Sequence, residues 1–208
     1  MQSNAGYGET KLPLSALFGL SSDKNKPALV YVYKPETDAA KAEASEARLF
    51  GSEDVVVASR LFRFFRIDES TVTDPAIRAQ YLAKLPALIF LDPQGNEAET
   101  LNGPVGQSRV MAKLGKVFEE AFDLALKKQV AKVIKSLRDL EKAEDRVADL
   151  KRFVGAIQDR VDDRATPNAQ RQLQEKQAEL EAAYKVFGDL KEELRRLMQA
   201  PTPATAQN

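Results

Sequence analysis

The feature that most constrains this chain is the stretch from Gln107 to Asp163, which contains no proline and only two glycines. Within it, apolar residues recur every three or four positions, which is the spacing of a coiled-coil stripe. The stripe consists of Val130, Ile134, Leu137, Leu140, Ala143, Val147, Leu150, Val154, Ile157 and Val161, with one local slip near Leu140. This pattern predicts a long amphipathic helix that must cover its apolar stripe with a partner.

A second helix is predicted after the break at residues 165–168, where Thr166 suits the N-cap and Pro167 the first helical position. Its stripe consists of Leu173, Leu180, Tyr184, Phe187, Leu190, Leu194 and Leu197. Residues 167–199 can pair antiparallel with residues 131–163, which predicts a two-stranded coiled-coil hairpin. Because such an arm is thin, a second copy packed against it would add stability. The pattern therefore favours a homodimer through residues 130–199.

Three residue types are missing from the chain, and their absence excludes several kinds of chemistry. There is no cysteine, histidine or tryptophan. The chain therefore has no thiol nucleophile, redox pair, zinc–thiolate site or histidine-based triad, and we expect no metal and no cofactor. Lys and Arg number 31 and so do Asp and Glu, which gives no basic excess for nucleic acid. Since no apolar run is long enough to span a bilayer, we expect a protein or peptide partner rather than a membrane span.

The first half of the chain alternates short apolar runs with helix-forming segments. Strands are predicted at 28–33, 62–67, 87–91 and 97–101, and helices at 39–50, 55–61, 75–84 and from 107 onward. Ser52 and Asp74 suit helix N-caps, and the segment 92–96 suits a hairpin turn. The order β-α-β-α-β-β-α predicts an α/β domain with a mixed sheet and helices on both faces.

Several residues at the ends of these predicted elements resemble, in their order and spacing, those of the thioredoxin fold family, in the branch of secreted or periplasmic thiol–disulfide domains. Lys26-Pro27 precedes the first strand, Asp68 ends the second, and Leu85-Pro86 stands directly before the third. The hairpin at residues 91–95 and the later Gly103 have the same form, and the resemblance covers about residues 10–122. It implies a thioredoxin-like sandwich in which Pro86 is a cis-proline.

The chain departs from this family at the reactive site. Counted without gaps from Pro27, the two cysteine positions of the family fall on Thr37 and Ala40. Dithiol exchange is therefore excluded, and Thr37 suits a helix cap better than a reactive group. The resemblance implies that a peptide-binding groove persists after the chemistry is lost. Its candidate residues are Lys34, Thr37, Leu85 and Pro86.

The predicted organisation has four parts, beginning with residues 1–9 as a vector-derived and flexible start. Residues 10–122 form the thioredoxin-like domain, 123–199 the coiled-coil hairpin, and 200–208 a disordered tail. Residues 1–5 are typical of vector sequence left beside a protease site, which predicts that an upstream signal peptide or anchor was removed. A periplasmic or secreted location is therefore favoured.

These observations favour a redox-inactive, thioredoxin-like interaction or scaffold module whose arm serves self-association or partner docking. The alternative is an extracytoplasmic chaperone or holdase that binds extended or unfolded peptide. That role needs an apolar arm tip, whereas the predicted tip at residues 161–164 is polar. A carboxylate hydrolase is a third hypothesis, but Asp68, Asp74 and Asp92 are explained as caps and turns.

Overall fold

The structure is a computed structural model, and it describes residues 25–35, 39–199 and 201. Within this range, the side chains of residues 39–42 are not described. The predicted start at residues 1–9, the candidate Thr37 and the predicted tail apart from Pro201 lie outside the described residues.

Four strands and six α-helices follow one another in the described chain, in the predicted order. The strands are β1 (Ala28–Tyr33), β2 (Arg63–Asp68), β3 (Ala87–Leu91) and β4 (Glu97–Asn102). The helices are α1 (Ala39–Phe50), α2 (Glu53–Arg60), α3 (Pro75–Tyr81), α4 (Gln107–Phe122), α5 (Leu126–Asp163) and α6 (Pro167–Met198). A 3-10 turn at Glu69–Thr71 follows β2.

The sheet has the order β2-β1-β3-β4, with β1 parallel to β2 and antiparallel to β3. Strand β4 pairs antiparallel with β3 through the hairpin that begins at Asp92. Strand β1 lies in the interior of the sheet because its continuous apolar run tolerates burial on both faces, and five of its six residues are buried. The mixed sheet confirms the predicted thioredoxin-like fold class.

Side chains from both faces of the sheet are covered by helices. On one face, Val30, Ile67 and Ile89 pack in a buried cluster with Tyr81 of α3. On the other face, α4 contacts β3, β4, α1 and α2, and the buried Phe118 lies among aromatic neighbours. Because strand side chains alternate between faces, the apolar runs of β1 and β3 supply both clusters. The predicted helices on both faces are therefore confirmed.

Several helix starts follow the predicted caps. Ser52 Oγ accepts a hydrogen bond from the Val55 amide at 3.4 Å. Asp74 Oδ1 accepts from the Ala76 amide at 2.8 Å, with Pro75 as the first residue of α3. Thr166 Oγ1 accepts from the Ala169 amide at 3.2 Å at the start of α6. Each side-chain oxygen satisfies an amide that has no partner within its own helix.

Several predicted boundaries are wrong by one to three residues. Helix α3 ends at Tyr81 rather than near Lys84, because Leu82 leaves helical geometry and Pro86 disfavours helical backbone at Leu85. Strand β2 begins at Arg63 rather than at residue 62, because the Phe62 amide still closes the turn after α2 by donating to the Ser59 carbonyl.

The described chain forms two compact units, one ending at Ala131 and the other spanning Lys132–Met198. Helix α4 ends at Phe122, and Asp123, which adopts left-handed backbone geometry, lies between α4 and α5. The buried Leu126 and Val130 belong to the first unit although they lie on α5. No helix in residues 39–199 is both long enough and apolar enough to cross a membrane.

In the second unit, α5 and α6 pack together as the predicted hairpin, but the packed stripe differs from the predicted one. On this part of α5, besides Ile134, Asp139, Asp149 and Gln158, the less exposed positions form a stripe of Val133, Ser136, Leu140, Ala143, Val147, Leu150, Val154, Ile157 and Val161. These alternate at intervals of three and four residues with no slip, as coiled-coil packing requires. The predicted stripe residue Leu137 is 40% exposed, because Ser136 takes its place.

The same correction applies to α6, where Tyr184 is exposed and Ala183 lies on the packed stripe. The full α6 stripe is Ala169, Leu173, Lys176, Leu180, Ala183, Phe187, Leu190, Leu194 and Leu197. It also repeats every three and four residues, so both helices follow an unbroken heptad pattern.

The buried hydroxyl of Ser136 leads to a prediction about the stability of the arm. Its Oγ is shielded from solvent and has no hydrogen-bond partner among the described residues. An unsatisfied buried polar group costs about 1–3 kcal/mol. We therefore expect Ser136→Ala to raise the free energy of unfolding by about 1 kcal/mol, measured by urea denaturation. A loss of stability would show that the hydroxyl has a partner.

Candidate functional site

A cavity lies at the carboxyl end of β1, next to the segment that precedes β3. Its volume is about 390 Å³. It is lined by Tyr31, Tyr33, Lys34, Pro35, Ser45, Glu46, Arg66, Leu85 and Pro86. The lining therefore comes from β1, α1, β2 and the loop before β3, four segments that are distant in sequence.

Three of the four candidate groove residues, Lys34, Leu85 and Pro86, are brought together at this cavity. The Leu85–Pro86 peptide bond is cis, as the family resemblance implied. Thr37 lies outside the described residues. Ala40 belongs to the first turn of α1, and its side chain is not described.

The segment that contains Pro86 lies beside β1, and backbone hydrogen bonds tie it to the end of β4. Val32 pairs with Ala87 across the sheet, which places Pro86 at the level of Tyr33. The Gly103 amide donates to the Lys84 carbonyl at 2.9 Å and to the Pro86 carbonyl at 2.8 Å. Gly103 has a φ of 77°, a backbone geometry that glycine adopts without strain. The loop before β3 is thus tied to the end of β4.

Six further lining residues were not predicted from the sequence: Tyr31, Tyr33, Pro35, Ser45, Glu46 and Arg66. The parallel register of β1 and β2 places Arg66 opposite Tyr31. The Arg66 guanidinium lies 4.3 Å from the centre of the Tyr33 ring, and Tyr33 stacks on Tyr31 at 5.7 Å between ring centres. Such cation–π contacts are worth roughly 0.5–2 kcal/mol. The sequence places Arg66 in a predicted strand, but it does not reveal the register that brings its side chain to the cavity.

The charges at the cavity are arranged around Arg66. Its Nη2 atom lies 2.7 Å from Glu46 Oε1. Its Nε atom is buried and has no acceptor among the described residues. Lys34 is exposed at the rim. Because a guanidinium carries five donors, Arg66 still has hydrogen bonds to offer a bound molecule.

Tyr31 is held in its neutral form. Burial, as the largest cause, and the nearby Glu46 carboxylate together raise the pKa of Tyr31 to about 12, while Arg66 opposes the rise. The hydroxyl of Tyr31 therefore remains protonated at physiological pH, and the ring acts as an uncharged wall of the cavity.

A spectrophotometric titration tests this environment. In the folded protein we expect tyrosinate absorbance with a late component near pH 12, to which Tyr31 and Tyr81 both contribute. Tyr31→Phe should remove part of that component and leave the part due to Tyr81. Because the raised pKa comes mainly from burial, the wild-type protein should lose stability as the pH rises from about 10 toward 12, and Tyr31→Phe should remove that loss. An unchanged titration curve would contradict the placement of Tyr31.

The side chains at this cavity supply apolar surface and charged hydrogen-bonding groups. Two stacked tyrosines, Leu85 and Pro86 supply apolar walls, and Arg66 and Lys34 supply cationic donors. The chain contains no cysteine, so thiol–disulfide exchange is not possible. Across residues 25–35 and 39–199, no group of three or more His, Asp or Glu side chains is placed to hold a metal ion.

Comparison with known proteins finds similarity only among solved structures. No protein-family model and no curated protein matches the chain. A thioredoxin from Thermus thermophilus is similar at 15% identity, with a TM-score of 0.39, over 50% of this chain and 83% of that one. A DsbH oxidoreductase is similar at 14% identity, with a TM-score of 0.36, over 56% and 89% of the two chains. The fold assignment rests on the strand order and the placement of Pro86 described above.

Proposed function

We propose that this chain is a redox-inactive protein-interaction module. Its cavity beside Pro86 holds part of an extended segment of a protein partner, and its arm serves self-association. The observation that carries the first part is the convergence of Tyr31, Tyr33, Arg66 and the Leu85–Pro86 segment on one cavity of about 390 Å³. Cavities of about 300–1,000 Å³ with mostly apolar walls and a few polar groups are typical of binding sites.

The alternative holdase role has less support from the arm. A holdase that grips an unfolded chain with the tip of its arm needs exposed apolar surface at that tip. The connection between α5 and α6 is Arg164, Ala165 and Thr166, all exposed, and the exposed Asp162 and Asp163 precede it. We therefore propose the interaction role rather than the holdase role.

The cavity is tested by filling it. Ser45 is an exposed residue of α1 that lines the cavity, so Ser45→Trp should occupy it without disturbing the core. Ser108→Trp is the matched control, because Ser108 is an exposed helical serine of α4 outside the cavity lining. Extended peptides captured from a displayed random library should bind Ser45→Trp at least about tenfold more weakly, a loss of about 1.4 kcal/mol. They should bind the control as they bind the wild type.

Equal capture by wild type, Ser45→Trp and Ser108→Trp would place peptide binding elsewhere and contradict the proposal. A failure of the folded wild-type protein to capture any peptide from the library would contradict it as well. Far-UV circular dichroism of each variant checks that a loss of capture is not a loss of folding.

A further inference from the structure

One side of the arm carries an apolar patch next to a shallow groove. The groove has a volume of about 330 Å³ and is lined by Ala143, Arg146, Glu179, Ala182, Ala183 and Val186. Phe153 follows Arg146 by one heptad, so it lies on the same side of α5 about 10 Å further along the helix. We call the surface formed by the groove and Phe153 the side face of the arm.

The side face carries two large apolar side chains that are mostly exposed to solvent. Phe153 is 58% exposed and Val186 is 54% exposed. The groove is hollow because three of its lining residues are alanines, which leave space between the larger neighbours. Because apolar surface gains free energy when it is removed from water, covering Phe153 and Val186 would be favourable.

The charges of the side face are compatible with an identical surface. Arg146 Nη2 and Glu179 Oε2 lie 3.3 Å apart, so the groove carries one paired cation and anion. A strongly basic or acidic partner would gain little from such a surface. In a second copy each carboxylate of this surface would arrive with its own cation: Glu179 is paired with Arg146, and Asp149 is paired with Arg152.

The side face also has the geometry of a self-complementary surface. Phe153 projects from one end of it, and the alanine-lined groove lies beside Ala143 and Arg146, about 10–15 Å away along α5 at 1.5 Å per residue. In an interface with twofold symmetry, each Phe153 can therefore enter the groove of the other copy, since such contacts are reciprocal. The axis would pass midway between the two features, next to Asp149.

We infer that the side face of the arm binds a second copy of this chain, with Phe153 of each copy seated in the groove lined by Ala143, Ala182 and Val186 of the other. This inference rests on the self-association in the proposed function and adds to it the face, the orientation and the reciprocal contact.

The mass of the full chain in solution tests the inference directly. Light scattering should give a mass of twice 23.0 kDa. Val186→Glu puts an acid beside Glu179 in both copies and should weaken the dimer at least tenfold. The control Tyr184→Glu alters an exposed residue two positions earlier, about 200° around the helix, and should leave the mass unchanged.

Cross-linking tests the orientation, because the natural chain contains no cysteine. Asp149→Cys should be joined into a covalent dimer by a short bis-maleimide. Lys151→Cys should not, because Lys151 lies on the side of the arm that contacts Tyr184. A wild-type mass of 23.0 kDa would overturn the inference and the self-association, but not the cavity proposal. A dimer that survives Val186→Glu and is not joined through Asp149→Cys would overturn the side face alone.

Discussion

Replacing Phe118 with alanine should lower the free energy of unfolding of the thioredoxin-like domain by about 3–5 kcal/mol. Phe118 is fully buried on α4, with Phe122 at 4.8 Å and Phe62 at 6.2 Å between ring centres. The substitution removes the transfer energy of the ring and leaves a cavity that two further rings line. Because α4 contacts both β3 and β4, the neighbouring backbone is held in place and cannot easily close that cavity.

Urea denaturation followed by far-UV circular dichroism measures this loss. The control is Leu124→Ala, since Leu124 lies two residues beyond the end of α4 and is 44% exposed. The control should change the free energy of unfolding by no more than about 0.5 kcal/mol. A loss below about 1 kcal/mol for Phe118→Ala would show that α4 does not close this face of the sheet.

The second large effect is expected in the arm, where Leu150→Ala should cost about 2–5 kcal/mol. Leu150 is 1% exposed and lies on the packed stripe of α5. The matched control is Leu137→Ala on the same helix, since Leu137 is 40% exposed. Both substitutions remove the same atoms from a leucine, so the difference between them reports burial alone.

The pair distinguishes the observed stripe from the one that the sequence predicts. Apolar spacing alone assigns both leucines to the stripe, and it would give them similar costs. The structure predicts that Leu137→Ala falls within about 0.5 kcal/mol of the wild type. If thermal or urea unfolding showed similar losses in the free energy of unfolding for the two variants, the stripe predicted from the sequence would be supported instead.

The stripe also shows where reading the sequence fails. A search for apolar residues selects Leu137 and passes over its polar neighbour Ser136, and a slip near Leu140 follows from that choice. The regular repeat appears only when Ser136 takes a packed position, and a polar side chain at such a position gives no hydropathy signal. For the same reason, apolar spacing places Tyr184 rather than Ala183 on the α6 stripe, because a large aromatic side chain gives a stronger hydropathy signal than alanine.

In the globular half, the caps and prolines at the ends of the elements were sufficient to predict the order of the elements. Ser52 and Asp74 act as caps, and Pro86 stands in the cis form before β3. These features depend on residues close together in sequence. The end of α3 was less well predicted, because it depends on Leu82 and on the proline four residues later.

The candidate site was predicted only in part, because its other half depends on strand register. Lys34, Leu85 and Pro86 follow from the family resemblance. Arg66 reaches the cavity because β2 runs parallel to β1 in the register that pairs it with Tyr31. No local pattern in the sequence sets that register.

The stacked pair Tyr31 and Tyr33 has a practical consequence for measurement. The chain contains five tyrosines and no tryptophan, so its intrinsic fluorescence comes from tyrosine without an indole to mask it. Two of those five residues line the cavity, and one of them lies under the Arg66 guanidinium. A ligand that carries neither tyrosine nor tryptophan should therefore change the emission of the protein on binding, and the cavity provides its own optical reporter.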